Sequence, residues 1–237
     1  MERRWKSSLD EFDCFVRKSV VLSWSGGKDS ALALDALSRD PEVEVVGLLT
    51  SVTRTYDRIS VHGVRRAMLE AQVERLELPL FEILLDPNCT NDAYEAAFHA
   101  ALEEIRRERP DVAHIAFGDL FLEDVRAYRV RLLAGSGFEP LFPIWGLDTA
   151  SLARRFIADG FSARLVCVDT TQLDGAFAGR LFDEQLLADL PVTADPCGER
   201  GEFHTFVSDG PPFRAPISYR VGETVLREDR FMFCDIE

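Results

Sequence analysis

No apolar run in this chain approaches the roughly 18 residues that a membrane-spanning helix needs. The N-terminus, Met1-Glu2-Arg3-Arg4-Trp5-Lys6, leads into Ser7-Ser8-Leu9-Asp10-Glu11 rather than into the apolar core of a signal peptide. A cytoplasmic protein with no membrane partner is the expectation. Paired cysteines are missing as well. Cys14, Cys89, Cys167, Cys197 and Cys234 lie far apart, odd in number and without a C-x-x-C pair, which argues against a zinc ribbon, an iron–sulfur ligand set or a redox dithiol. They read as free thiols in a reducing compartment. Positive charge is scarce: 27 Lys and Arg face 41 Asp and Glu, a formal charge of −14. Such an excess repels phosphate backbones over the whole surface, so a small molecule is a better first partner than nucleic acid. Low-complexity tracts and internal repeats are absent too. What is present is 46% hydrophobic and 10% aromatic residues over 237 positions, enough for one large domain or two small ones with a core of their own.

The first two-thirds of the chain alternates short β-branched or apolar runs with amphipathic helical patterns, the signature of βαβ units around a parallel sheet. Strands are expected at 20–23, 43–49, 80–85 and 114–117, and an edge strand at 140–144, where proline is tolerated. Between them fall helices carrying Leu32, Ala33, Ala36 and Leu37; Val64, Met68, Ala71 and Val73 or Leu76; Phe98, Ala101, Leu102 and Ile105; and Val125, Tyr128 and Leu132. Thr90-Asn91-Asp92 offers helix N-caps, and Asp92 with Glu95 has capping-box spacing. Beyond Trp145 the rhythm changes: Asp148-Thr149 caps a short helix, a strand follows at 164–168, another short helix at 181–190, and strand-like runs at 203–207 and 231–234. The expected organisation is an α/β domain over 1–145 and a smaller α+β domain over 146–237.

The most informative segment is Ser25-Gly26-Gly27-Lys28-Asp29-Ser30, directly after a buried strand and directly before a helix. Adjacent glycines let backbone N–H groups approach an anion, Ser25 and Ser30 add hydroxyls, Lys28 adds positive charge, and the helix adds its N-terminal dipole. This makes a phosphate cradle. It is not a Walker A loop, because Leu22 stands where that motif requires glycine and Asp29 where it requires Ser or Thr. Asp29 beside phosphates is unfavourable unless a cation intervenes, which points to Mg²⁺. The run S-G-G-K-D-S resembles the PP-loop of the ATP pyrophosphatases in the adenine nucleotide α-hydrolase superfamily. That resemblance implies a Rossmann-like, HUP-type parallel sheet with helices on both faces. It also implies cleavage of ATP between the α- and β-phosphates, with AMP passed to an oxygen of the substrate.

A second motif lies at Asp195-Pro196-Cys197-Gly198-Glu199-Arg200-Gly201-Glu202-Phe203-His204-Thr205-Phe206-Val207. Together with Gly118-Asp119-Leu120, Arg126 and the 137–145 segment, it resembles the diphthine–ammonia ligase family of ATP-binding proteins, over about residues 18–213. Members acting on diphthine read C-G-E-G-G-E-Y-E-T here, whereas this chain reads C-G-E-R-G-E-F-H-T, like a bacterial branch of the family. Arg for glycine and His for glutamate make the loop more positive by about two charges, favouring a more anionic substrate.

The resemblance implies roles for particular residues. Ser23, Ser25, Gly26, Gly27, Lys28, Asp29, Ser30, Leu49 and Gly118 would hold ATP, with adenine near the end of the second strand. Asp29 and Asp119 would organise Mg²⁺, Asp119 alternatively serving as an N-cap. Arg126, Cys197, Gly198, Glu199, Arg200, Gly201, Glu202 and His204 would face the substrate. Lys28, Asp29, Asp119, Glu199, Glu202 and His204 would carry the chemistry; Cys197, with no partner cysteine at useful spacing, reads as a buried thiol in preference to a nucleophile, and His62, His99 and His114 read as structural. The function expected is an AMP-forming ligase joining ammonia, from free ammonium, or another amine to a small anionic metabolite or a modified protein side chain, with a homodimer possible. A nucleotide sensor without turnover and a tRNA-modifying PP-loop enzyme are the alternatives; the acidic charge and isolated thiols count against the second.

Overall fold

A computed structural model describes residues 17–60 and 62–237; Cys14 and the polar N-terminal run fall outside the described residues. The first part of the chain runs β1 (Lys18–Ser23), α1 (Lys28–Ser38), β2 (Val43–Thr53), β3 (Arg58–Ile59), α2 (Arg66–Leu76), β4 (Leu80–Leu85), α3 (Asn91–Glu108), β5 (Val112–Ala116), α4 (Glu123–Leu133) and β6 (Glu139–Leu141). There follow α5 (Thr149–Ala158), β7 (Ser162–Asp169), α6 (Glu184–Asp189), β8 (Phe203–Asp209), β9 (Val221–Arg227) and β10 (Phe231–Ile236).

Strands β4, β2, β1, β5 and β6 lie side by side in parallel. Alternation along β1 shows why helices cover both faces. Val20 and Leu22 point into a core shared with α1 and α2, while Val21 points into one shared with α3 and α4. The fold is the Rossmann-like α/β arrangement that the alternating pattern predicts. From β1 the chain steps to β2 on one side, and it later returns to β5 on the other. The crevice at the carboxyl ends of β1 and β5 is thus the switch point where such sheets bind ligands.

Four local expectations change. Strand β2 does not stop at residue 49 but runs on to Thr53 and turns back into β3, which pairs antiparallel with Val52 and Thr53. Because β4 occupies the other edge of β2, β3 stands on the β1 side, beyond the end of β1. The capping box is not formed; Thr90, in extended backbone, accepts from the Ala93 N–H at 3.3 Å, and Asp92 falls in the first turn. Strand β6 does lie at the sheet edge but ends at Leu141. Strand β9 has no counterpart in the sequence reading because its residues are mostly exposed on both faces and show no alternation. Asp148 caps α5 as expected, accepting from Ser151 at 2.8 Å.

The second sheet is antiparallel, in the order β8, β7, β10, β9. Its buried residues, including Leu165, Phe203 and Phe206, join the same core as Leu32 and Leu34 of α1. Strand β8 is therefore brought against the start of α1, and with it the loop 195–202. Among the described residues no helix is long and apolar enough to cross a membrane.

Candidate functional site

Gly26 has φ of +76°, the conformation that turns the chain out of β1 and into α1. Its carbonyl accepts from the Val207 N–H and from Gln72 Nε2, each at 2.9 Å. The Lys28 N–H, an otherwise unpaired group at the helix start, donates to Thr205 Oγ1 at 3.0 Å. Ser30 Oγ donates to the Gly27 carbonyl at 2.8 Å and lies 3.3 Å from Ser25 Oγ. Strand β8 and helix α2 thus fix the loop from two directions before any ligand arrives. Gly118, after β5, approaches α1 so closely that a Cβ there would lie 2.9 Å from the Asp29 carbonyl.

An open cleft of about 250 Å³ lies between this loop, the end of β5 and the loop before β8. Its walls carry Ser23, Ser25, Gly27, Lys28, Asp29, Ser30, Gly118, Asp119, Gly198, Glu199, Gly201 and His204, all singled out from the sequence. Lys28 is buried, and its Nζ donates to both Asp29 oxygens at 2.7 and 2.8 Å. Burial is the largest influence and opposes its charge, but Asp29, Cys197 and Glu199 together outweigh it, so the pKa is raised and the ammonium stays protonated. Among the described residues Asp119 Oδ2 is buried without a hydrogen bond, 3.5 Å from Arg129 Nε, and burial raises its carboxyl pKa against the Arg129 charge. Asp119 is not an N-cap, since α4 begins after Leu122.

Glu199 spans the cleft. Its Oε1 accepts from the Leu120 N–H at 2.7 Å and the Phe121 N–H at 3.4 Å. Burial raises its pKa, the Leu120 bond lowers it and the charge of Asp29 raises it again, leaving it at about 7. His204, from β8, is pushed down to about 4 by burial and then by Lys28, so its imidazole is neutral.

Residues 17–138 match the diphthamide synthase N-terminal domain, and residues 148–237 match the diphthamide synthase C-terminal domain. The chain belongs to the diphthamide synthase family. It is also similar to the diphthine–ammonia ligase of Schizosaccharomyces pombe, 23% identical over 209 residues covering 81% of this chain and 34% of that protein. The chain spans about a third of the length of that curated relative.

Several residues that the sequence reading assigned to the site do not line this cleft. Glu202 is buried beneath its loop, Oε1 accepting from the Asp195 N–H at 2.7 Å and Oε2 from the Arg200 N–H at 3.0 Å. Cys197 is buried, its Sγ 3.4 Å from the Thr149 carbonyl, and burial pushes its thiol up to about 12. Arg200 is exposed and lies over the Phe121 ring, while Arg126 lies over Phe142 and Trp145. Leu49 is packed in the core between Ser23 and Phe81, its partners on β1 and β4. None of these side chains is among those lining the cleft.

Five cleft residues had no site role in the sequence reading, Phe117 and Phe203 supplying apolar surface and the other three polar groups. Arg129, one helical turn after Arg126, reaches the cleft because the phase of α4 turns it, and not Arg126, toward Asp119. Thr205 follows His204 in the recognised motif. His62 was taken as structural, yet it lines the cleft with its ring 4.5 Å from that of His204 at an interplanar angle of 34°. The four described cysteines are free thiols, as their spacing suggests.

Proposed function

We propose that this chain is an ATP-dependent, AMP-forming ligase of the diphthine–ammonia ligase type, acting in the cytoplasm. The observation that carries the reading is the clamped loop. The Ser25–Ser30 turn is braced by Thr205, Val207 and Gln72 and opens onto a cleft whose charged groups are Lys28, Asp29, Asp119, Arg129 and Glu199. Such a site needs little reorganisation to receive a polyphosphate. The division of labour follows the expected boundary: ATP on the side of residues 1–145, the acceptor against the loop from 146–237.

In the proposed reaction a carboxylate oxygen of the acceptor attacks the α-phosphorus, the bond to the bridging oxygen of the β-phosphate breaks, and pyrophosphate leaves. The lone pair of ammonia then attacks the acyl carbon, AMP leaves with the bonding pair, and a proton passes to solvent. Lys28 would draw charge on the leaving pyrophosphate, Glu199 would order the 119–121 turn beside the acceptor, and Gly198 and Gly201 would let that loop approach closely. With His204 where diphthine-acting members carry glutamate, the wall loses a negative charge, which suits an acceptor more anionic than diphthine.

Mg²⁺ is compatible with the donor set. Three carboxylates, Asp29, Asp119 and Glu199, face the cleft, and one oxygen of Asp119 is buried and has no hydrogen bond among the described residues. Among the described residues no group of three or more His, Cys, Asp or Glu is gathered as an all-protein metal site. A nucleotide-bound Mg²⁺ is characteristically held by one or two carboxylates together with phosphate oxygens, a role open to Asp29 and Asp119. When bound, the ion would neutralise phosphate charge.

The test is phosphorus NMR of the purified chain with Mg-ATP, ammonium and either a diphthine-bearing protein or a pool of small anionic metabolites. AMP and pyrophosphate formed by the wild type and lost in Lys28→Ala support the reading, and the acceptor that elicits them names the substrate. Formation of ADP and phosphate would overturn it, and binding of ATP without turnover under any acceptor would favour a sensor.

A further inference from the structure

The β3 hairpin has no role in the reading above, yet it ends over the phosphate loop. His62, in the turn that follows β3 and is closed by the Ile59 N–H to Val64 carbonyl bond, abuts Gly27 so tightly that a Cβ on Gly27 would lie 3.1 Å from His62 Cε1. Its ring packs on His204 from β8, so imidazoles from the two sheets meet at one wall of the cleft. His62 Nδ1 is buried and has no hydrogen-bond partner among the described residues. A buried polar atom left unpaired is costly, and because His62 lines the cleft, a ligand that enters there and supplies the partner is the simplest explanation.

The hairpin is held from behind by the C-terminal strand. Arg58 donates to Asp235 Oδ1 at 2.8 Å and to the Gly63 carbonyl at 2.6 Å. Arg65 donates to both oxygens of Asp235 and pairs with Glu237 at 3.1 Å. Gly63 itself packs on Phe233, where a Cβ would lie 2.7 Å from the ring. One carboxylate, Asp235, thus gathers the two arginines that flank His62.

We propose that His62 is a ligand-contacting residue whose Nδ1–H donates to an oxygen of the polyphosphate chain, and that Asp235 is a positioning residue acting through the Arg58–Arg65 hairpin. This rests on the ATP-binding reading of the same cleft. The chemistry favours an anionic oxygen over ammonium, because the nearest charge to the imidazole pair is that of Lys28. Burial and then His204 lower the pKa of His62 well below its ordinary value, a contact with the Thr205 backbone opposing and Lys28 adding to the shift, so without ligand it is neutral rather than a cation.

Calorimetric titration of the full chain with ATP, AMP and inorganic pyrophosphate tests it. His62→Leu is expected to weaken ATP and pyrophosphate by about tenfold while leaving AMP unchanged, and His62→Asn, whose amide places a donor near the Nδ1 position, to recover most of the loss. Asp235→Asn is expected to give the same selective loss, smaller in size. A merely structural strap would weaken AMP and ATP alike. Should His62→Leu fail to fold, the other two variants decide. Equal loss for AMP and ATP, no loss for either, or a change confined to the KM for ammonium would overturn the proposal. A wild type that binds neither ATP nor pyrophosphate would remove the ATP reading and this one together, whereas wild-type binding that the variants leave unchanged would remove this one alone.

Discussion

The Lys28 N–H donates to the Thr205 hydroxyl at 3.0 Å, a bond between groups 177 positions apart. Helix α1 has no side-chain cap of its own, since Gly27 occupies the cap position. The second sheet supplies the missing acceptor. Thr205→Val, equal in shape but without the hydroxyl, is expected to cost about 1–2 kcal/mol, as loss of an N-cap does. For a chain of this size each kcal/mol lowers Tm by roughly 2–4 °C. Thermal unfolding followed by circular dichroism checks this, with Thr205→Ser retaining wild-type stability; a Val variant as stable as wild type would show that the bond contributes nothing.

Gln72 makes the corresponding tie from α2. It is wholly buried, donating to the carbonyls of Gly26 at 2.9 Å and Val207 at 2.7 Å and accepting from Trp24 Nε1 at 3.0 Å. Gln72→Leu fills the same space and strands the indole N–H and one acceptor site on each carbonyl, so a loss of about 3 kcal/mol is expected in urea unfolding. Gln72→Glu is expected to do no better, because a carboxylate cannot donate to either carbonyl.

The parallel sheet and its order of elements are legible in the sequence because every core strand is a short apolar run between helical periods. The phosphate loop is legible for a different reason: its six working residues are contiguous, and the strand before and helix after them fix their geometry. Gln72 carried a readable signal that went unused. It falls midway between Met68 and Leu76 at four-residue spacing, a polar residue on an otherwise apolar face. His62 carried none, because its place at the cleft depends on a turn that brings β3 beyond the end of β1 and on a contact with β8. Arg129 and Arg126 lie one helical turn apart on α4, so spacing alone did not separate them, and the aromatic pair Phe142 and Trp145 takes the latter.

Glu199 gives the site a pH dependence whose sign follows from its environment. With its pKa near 7, it is largely protonated below that pH and ionises above it. An anionic Glu199 repels a polyphosphate, so metal-free ATP is expected to bind about fivefold more weakly at pH 8 than at pH 6, the effect of roughly 1 kcal/mol of charge repulsion. The terminal phosphate of ATP titrates in the same range, so the measurement is the difference between wild type and Glu199→Gln. Identical profiles would place the Glu199 charge too far from the phosphates to matter.

Glu202 separates a brace from a reacting group. The sequence pairs it with Glu199, but Gly198 and Gly201, at φ of +69° and +86°, turn the loop so that Glu199 faces the cleft while Glu202 points beneath it. Both its oxygens receive backbone N–H bonds. Glu202→Gln retains one acceptor and places an amide NH₂ against the other N–H, two donors facing each other, which is expected to cost about 1–3 kcal/mol of stability. Below the lowered Tm, the rate of AMP formation at saturating substrate is expected to stay within a few-fold of wild type, whereas Lys28→Ala abolishes it. A Glu202→Gln variant that keeps its Tm and loses its rate would return this carboxylate to the reacting groups.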